Sequence, residues 1–247
     1  MILKSPENIA IMREGGKILA SIMGELKKEV VPGKTTISLN DYAEKLILKN
    51  NGKPSFKNYK GFPFALCVSV NETIVHGLPS EYKLQEGDIV SLDLGFYYKG
   101  YHSDMAVTLP VGEVKGDVMR LIRETKKALK RGIKKTKEGN TVGDIGNTIG
   151  RHSQKAGFSV IKGLCGHGIG EEIHEEPQIL NEGKRGKGLP LEVGMVICIE
   201  PMLSVGSDEI KTDKDGMGIK TNDNSLSAHF EHTVAITKEG PVVLTEL

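Results

Sequence analysis

One pattern occurs twice in this chain and limits its fold more than any other feature: Leu84-x-x-Gly87-x-Ile89-Val90-x-Leu92-Asp93 and Leu191-x-x-Gly194-x-Val196-Ile197-x-Ile199-Glu200. Each copy is a turn glycine, an apolar run of strand character and a terminal carboxylate. The glycines at 87 and 194 and the acids at 93 and 200 are both 107 residues apart, and the upstream pair Gly33-x-Thr35 and Gly139-x-Thr141 repeats at 106. Two duplicated halves would bring Asp93 and Glu200 face to face. A carboxylate carried into an interior by an apolar strand is costly unless it is paired or bound to a cation, so the repeat points to a buried metal site. A single copy would read equally well as a solvated acid at a strand end.

The 247 residues form one large domain or two fused halves, long enough to bury roughly 70–75% of the unfolded chain's surface. We read residues 1–247 as one catalytic domain with an internal duplication, its halves roughly 1–112 and 113–247. Lys plus Arg number 33 against 32 Asp plus Glu, so no net field draws nucleic acid or an anionic membrane, and partners must be recognised locally. Met1 to Gly16 lacks the apolar core of a secretory signal, and no stretch approaches a membrane span. A cytoplasmic location is the expectation. Cys67, Cys165 and Cys198 are odd in number without Cys-x-x-Cys spacing, which argues against a disulfide framework or a structural zinc module and for buried, reduced thiols.

Ser5-Pro6-Glu7 reads as a helix start, followed by apolar residues at mostly three- and four-residue steps through Ile9, Met12, Ile18, Leu19, Ile22 and Leu26. Val31-Pro32-Gly33 ends that helix. Ser38 to Asp41 has capping-box-like spacing ahead of a second helix to about Leu48. Phe62–Val70, Ile89–Leu94 and Ala106–Leu109 read as strands. The second half begins again with helices, Val118–Ile133 and Asp144–Ala156, and continues with strands at Val160–Ile161, Met195–Ile199 and Glu231–Thr237. Each half thus reads helix, helix, strands: an α+β duplication with helices packed on one side of antiparallel sheet. Glu182–Gly188 reads as a mobile surface loop and Ser207–Gly218 as a turn-rich segment.

Around the duplicated acids stand further candidates. Asp104 follows Asp93 by eleven residues, a spacing that suits two antiparallel strands joined through Gly95–Gly100 and would set the acids side by side. His167 is flanked by glycines in Gly166-His167-Gly168-Ile169-Gly170, where missing side chains let backbone crowd a ligand. Glu231 heads the last strand in Phe230-Glu231-His232-Thr233. Singly, such residues are usually structural or solvated. Together, four carboxylates and one imidazole balance two divalent cations and suit Mn, Fe, Co or Zn over a thiolate zinc site. Glu171-x-x-His174 lacks the second copy a di-iron bundle needs, and His174-Glu175 fails as His-Glu-x-x-His because residue 178 is Gln.

These motifs, with Val75-His76-Gly77-Leu78-Pro79, Ser103-Asp104, His174-Glu175-Glu176-Pro177 and Ile199-Glu200-Pro201-Met202, resemble the type I methionine aminopeptidases essentially end to end. The resemblance implies the pita-bread fold with pseudo-two-fold halves. It also implies a dinuclear metallopeptidase that removes the initiator methionine, preferring a small second residue, by a hydroxide held between two divalent ions. By it Asp93, Asp104, His167, Glu200 and Glu231 are the metal ligands, Asp104 and Glu231 spanning both ions. Glu200 shuttles the proton, and His76 and His174 flank the substrate. Tyr59, Phe62, Cys67, Ile173 and Met217 match the methionine pocket, with Phe56 nearby. Ile173 and Met217 replace the Phe and Trp of many relatives. Asn71 and Ser227 match a monovalent-cation site. The implied partners are the N-termini of nascent polypeptides near the ribosome, without membrane or direct nucleic-acid binding, and the implied state is a monomer. Two rivals remain: a proline-specific aminopeptidase of the same fold, which normally carries a long N-terminal domain, and a metal-free binding module, which normally loses the ligands. Only 30 residues separate Glu200 from Glu231, leaving no room for the type II helical insertion.

Overall fold

Ser5 begins the structure much as its sequence suggests: its hydroxyl accepts from the Asn8 N–H at 3.3 Å, Pro6 occupies the first turn, and helix α1 runs Pro6–Lys28. The computed structural model describes residues 3–247, so the first two residues of the Met1–Gly16 segment lie outside it. The second helix, α2 (Thr36–Lys49), starts earlier than the Ser38–Asp41 spacing suggests. Its cap is Thr35, extended at φ −77° and ψ 145°, whose hydroxyl accepts from the Ser38 N–H at 3.3 Å. The fourth helix likewise starts before Asp144. In α4 (Val142–Lys155) Thr141 is the cap and Asp144 completes a reciprocal capping box. Helix α3 spans Gly116–Ile133.

The same local arrangement therefore appears twice. Gly33 and Gly139 both adopt φ +85°, where an L side chain would be strained. Thr35 and Thr141 follow as caps and bridge to Lys83 and Pro190. The Leu84 N–H donates to Lys34 O at 2.9 Å, and the Leu191 N–H to Asn140 O at 2.8 Å.

A nine-stranded sheet lies beneath the helices, and every pairing in it is antiparallel. Its first part comes from Lys53–Pro54, Leu66–Val70, Ile89–Tyr98 and Tyr101–Pro110; its second from Gly166–Gly168, Glu175–Ile179, Val196–Ile199, Glu231–Thr237 and Gly240–Val243. The parts join where Tyr101–Pro110 meets Glu231–Thr237 over two registered pairs, Ala106 with Glu231 and Met105 with His232. Ser227–His229, Met202–Ser204 and Ser159–Val160 form one small sheet; Ile210–Thr212, Ile219–Thr221 and Thr73–Val75 form another.

Alternation along the strands divides the sheet's two faces. Leu66, Leu92, Leu94, Ile197 and Ile199 join the main core with Leu19 and Leu26 of α1, Leu39 of α2, Leu129 of α3 and Ile149 of α4. Each such buried side chain contributes about 1.5–3 kcal/mol. Cys67, Asp93, Val196 and Cys198 take the opposite phase, and their face is covered by a second apolar cluster that includes Phe56 and Phe62.

Several expectations need correction. The apolar run from Phe62 is a strand only from Leu66. A 3-10 turn at Tyr59–Gly61 precedes it, and Pro63 lacks the N–H a ladder needs. Asp104 lies within its strand, not ahead of it. The hairpin register pairs Asp93 with Ala106 and Asp104 with Gly95, so the two acids are diagonal neighbours on one face. Glu182–Gly188 is anchored: Lys187 O accepts from the Gly143 N–H at 3.0 Å and Asp144 Oδ1 from the Gly186 N–H at 3.2 Å. Ser207–Gly218 contains Ile210–Thr212, which pairs with Ile219–Thr221 through a turn at Asp213–Gly218. Cys67 and Cys198 are buried, Cys165 is half-buried, and all three are free.

Candidate metal centre and substrate cleft

Ala106 explains why three acids converge. It pairs with Asp93 on one side and Glu231 on the other, and Asp104 lies two residues away on the same face. A methyl group at the middle leaves the carboxylates room to meet. Glu200 follows the last paired residue of the Val196–Ile199 strand, where Ile199 is opposite His232, so it arrives beside Glu231. Asn181 Nδ2 donates to its backbone carbonyl at 3.0 Å. His167 enters between two glycines whose missing Cβ atoms would otherwise strike the backbone of Cys198 and Glu176.

The His167 ring is held ready to act as a ligand. Its Nδ1 lies 2.8 Å from Gly168 O, a carbonyl that only accepts, so the proton sits on Nδ1 and the Nε2 lone pair is free. Nε2 stands 3.6 Å from Glu200 Oε1 and 4.0 Å from Glu231 Oε1. Asp93 Oδ1, Asp104 Oδ1 and Glu231 Oε1 are buried without any hydrogen-bond partner. Native interiors rarely tolerate three such oxygens side by side unless something cationic satisfies them. Atoms of Asp93, Asp104 and Glu231 lie within 4.8 Å of one another, as do those of Glu200, His229 and Glu231.

Protonation follows from this crowding. Burial, then the charges of Asp104 and Glu200, pushes Asp93 well above the usual carboxylate range. Burial and Glu200 raise Asp104 to about 8, burial alone raises Glu200 to about 8, and burial, then the Asp104 charge, pushes Glu231 well above the usual carboxylate range. Burial holds His167 down at about 4, so it is neutral at pH 7. Cys198, near His167 and Glu231, is not a ligand in character, because burial and the Glu231 charge push its thiol well up.

The acids line one wall of a cavity of about 680 Å³. Phe56, Tyr59, Phe62, Cys67 and Met217 line its apolar side. Ile173 does not reach this wall; 2% exposed, it packs behind it with Phe62 and Ile169. His174 stands at the mouth, its Nδ1 2.9 Å from the Tyr59 hydroxyl and its ring 4.3 Å from that of His167. His76 also lines the cleft, with a left-handed backbone at φ +58°, a conformation non-glycine residues rarely keep without a constraint. Burial, His229 and Lys60 lower its pKa.

The sequence reading missed His229. It is 1% exposed, with Nε2 3.4 Å from Glu200 Oε2. Its signal was its spacing: residues 229 and 231 share one face of an extended segment.

The sequence pattern of metallopeptidase family M24 matches residues 10–238. Methionine aminopeptidase from Clostridium perfringens is 45% identical over 245 residues, which cover 99% of this chain and 98% of that one. The crystal structure of methionine aminopeptidase from Thermotoga maritima superposes with a TM-score of 0.98 at 42% identity, covering 100% of both chains. Prolidase from Pyrococcus furiosus superposes at 0.80 and 26% identity, with all of this chain covering 66% of that one. The α+β architecture described above is thus the pita-bread fold these structures share.

Proposed function

This chain belongs to metallopeptidase family M24, and on that premise we propose that its cleft removes N-terminal methionine from peptides, preferring a small second residue, at a centre of two divalent cations. The observation that carries the reading is the group of unsatisfied buried oxygens of Asp93, Asp104 and Glu231 beside the free Nε2 of His167, at the end of an apolar pocket. Asp93, Asp104, His167, Glu200 and Glu231 would hold the cations, whose choice among Mn, Fe, Co and Zn this oxygen-rich donor set leaves to supply. Bound there, such ions supply a water acidic enough to attack near neutral pH and a Lewis acid for the scissile carbonyl.

The chain's own groups provide the rest. Glu200 accepts a proton from the attacking water and returns it to the leaving amine. His76 hydrogen-bonds near the scissile amide, and His174, oriented through the Tyr59 hydroxyl, faces the carbonyl oxygen as its charge develops. Tyr59, Phe62, Cys67 and Met217 hold the methionine side chain by apolar burial. Ser227 Oγ lies 3.2 Å from both Asn71 O and Thr73 O, an oxygen cluster consistent with a monovalent cation.

We read residues 1–247 as one catalytic domain whose halves, roughly 1–112 and 113–247, each supply ligands. Its substrates would be nascent N-termini in the cytoplasm, met near the ribosome by a monomer. No helix among the described residues is long and apolar enough to cross a membrane. The proline-specific reading has less support, since the prolidase is 26% identical to this chain and the methionine aminopeptidases are 45% and 42% identical.

Release of methionine from Met-Ala-Ser, Met-Leu-Ser and Ala-Pro-Ser by metal-stripped protein, with and without added Mn, Fe, Co or Zn, tests the proposal. Metal-dependent cleavage of Met-Ala-Ser alone is expected. Cleavage of Ala-Pro-Ser would favour the prolidase-like activity, and silence with every metal would leave the binding-module reading.

A further inference from the structure

His229 has no part in the chemistry above and does not line the cavity, yet it is tightly constrained behind Glu200. It is 1% exposed, and neither Nδ1 nor Nε2 has a hydrogen-bond partner. Its backbone is fixed on both sides: the His229 N–H donates to Thr108 Oγ1 at 2.8 Å, and Thr108 Oγ1 donates to His229 O at 2.8 Å. Ser91 Oγ stands 2.8 Å from the same hydroxyl, and Met202 pairs with His229 across the small sheet. The ring's ion-pair contact is with Glu200. Nε2 is 3.4 Å from Glu200 Oε2, whereas Glu200 Oε1 faces His167 Nε2 at 3.6 Å. The Glu200 carboxylate therefore lies between two imidazoles, one at each oxygen.

The two rings differ in what they can offer. His167 has Nδ1 committed to Gly168 O and presents a lone pair. His229 has no acceptor at Nδ1 and can carry its proton on Nε2, toward Glu200. A carboxylate that must both bind a cation and accept a proton has to be held in one orientation, and such outer hydrogen bonds hold metal ligands in place.

We propose that His229 is a positioning residue for Glu200: its Nε2–H donates to Oε2 and turns Oε1 toward His167 and the cation site. The proposal rests on the metal-centre reading and adds to its five ligands a residue that touches neither cation nor substrate.

The test uses the full chain, stripped of metal and titrated with Mn by calorimetry and with Co by visible absorption. His229→Gln keeps an N–H donor and should stay within about threefold of the unsubstituted protein, with an unchanged Co spectrum. His229→Leu should weaken binding of the first ion by about 10- to 100-fold. It should also lower kcat for Met-Ala-Ser more than it changes KM, while the melting transition of the metal-free protein persists. Thr108→Val, which removes the anchoring hydroxyl, should weaken the ion in the same direction. Native affinity and kcat in a folded His229→Leu variant would overturn the proposal. So would a Co spectrum altered in His229→Gln, because that would make the imidazole a direct ligand. Failure of the unsubstituted protein to bind Mn or Co would overturn the metal-centre reading itself, and that outcome is recognised before any variant is made.

Discussion

Replacing Gly168 with alanine should disable the centre without removing a single functional atom. An ideal Cβ at this position would lie 2.8 Å from the Glu176 carbonyl carbon and 3.0 Å from Glu175 O, with the Glu176 carbonyl oxygen closer still. Comfortable carbon contacts begin at about 3.5 Å, so one strand must retreat by at least ~0.7 Å. Neither can do so locally, because Gly168 pairs with Glu175 on one side and Ile197 on the other. Overpacking of this kind costs about 1–3 kcal/mol. The movement falls on His167, the adjacent residue, and a shift near 1 Å in a catalytic constellation costs about 10²-fold in rate. Urea unfolding of the metal-free variant should show the stability loss, and methionine release from Met-Ala-Ser the rate loss. Gly24→Ala is the control: nothing lies within 4 Å of its Cβ and it sits inside α1, so it should be neutral or stabilise by about 0.5–1 kcal/mol. Native kcat/KM and native metal affinity in Gly168→Ala would refute the claim that the glycines beside His167 exist for close backbone approach.

Glu200→Gln should reduce turnover of Met-Ala-Ser by about 10²- to 10⁴-fold without lowering the melting temperature of metal-free protein at pH 8; an active variant would remove Glu200 from the proton path. In the metal-free protein Asp104 and Glu200 are raised to about 8, so the folded chain holds protons that the unfolded chain has released, and stability falls as pH rises toward 8. His167 and His229, lowered to about 4 and 3, oppose this only below the ordinary histidine value near 6.5. Thermal melts from pH 6.5 to 9 should therefore decline steadily without metal and flatten when Mn is added; a rising metal-free curve would contradict the assignment. Met217 borders the cavity beside Gly61, whose Cβ would lie 3.4 Å from Met217 Cε. Met217→Trp should accordingly alter peptide and inhibitor preference while leaving the Mn dissociation constant unchanged, as parallel kinetics and calorimetry would show.

Asp93 and Glu200 were legible because the same local pattern was written twice, and local pattern is what a sequence displays most directly. The Thr35 cap was less so: Thr35 and Ser38 both offer hydroxyls in suitable company, and the choice follows from Thr35 bridging to Lys83, far along the chain. Phe62 resembles a strand residue in hydrophobicity, but its burial comes from the cavity wall. The Gly166–Gly168 strand has little intrinsic strand preference and exists through its neighbours. His229 is the instructive omission. Its significance depends on Thr108 and Glu200, which are 121 and 29 residues away and share no local pattern with it.

The narrow seam between the sheet's two parts carries a thermodynamic implication. Only Ala106–Glu231 and Met105–His232 are in register there, with Thr233 Oγ1 and the Asp104 backbone exchanging two more hydrogen bonds. The proposed ligands fall on both sides, Asp93 and Asp104 on one and His167, Glu200 and Glu231 on the other. A cation gripped by both sides works as a rivet across the joint, and its contribution grows as the logarithm of free ion over dissociation constant. Chelation should raise amide hydrogen exchange first at Met105, Ala106 and His232, while amides beneath the helices stay protected. Metal supply would then govern cohesion between the sheet's two parts as directly as it governs turnover.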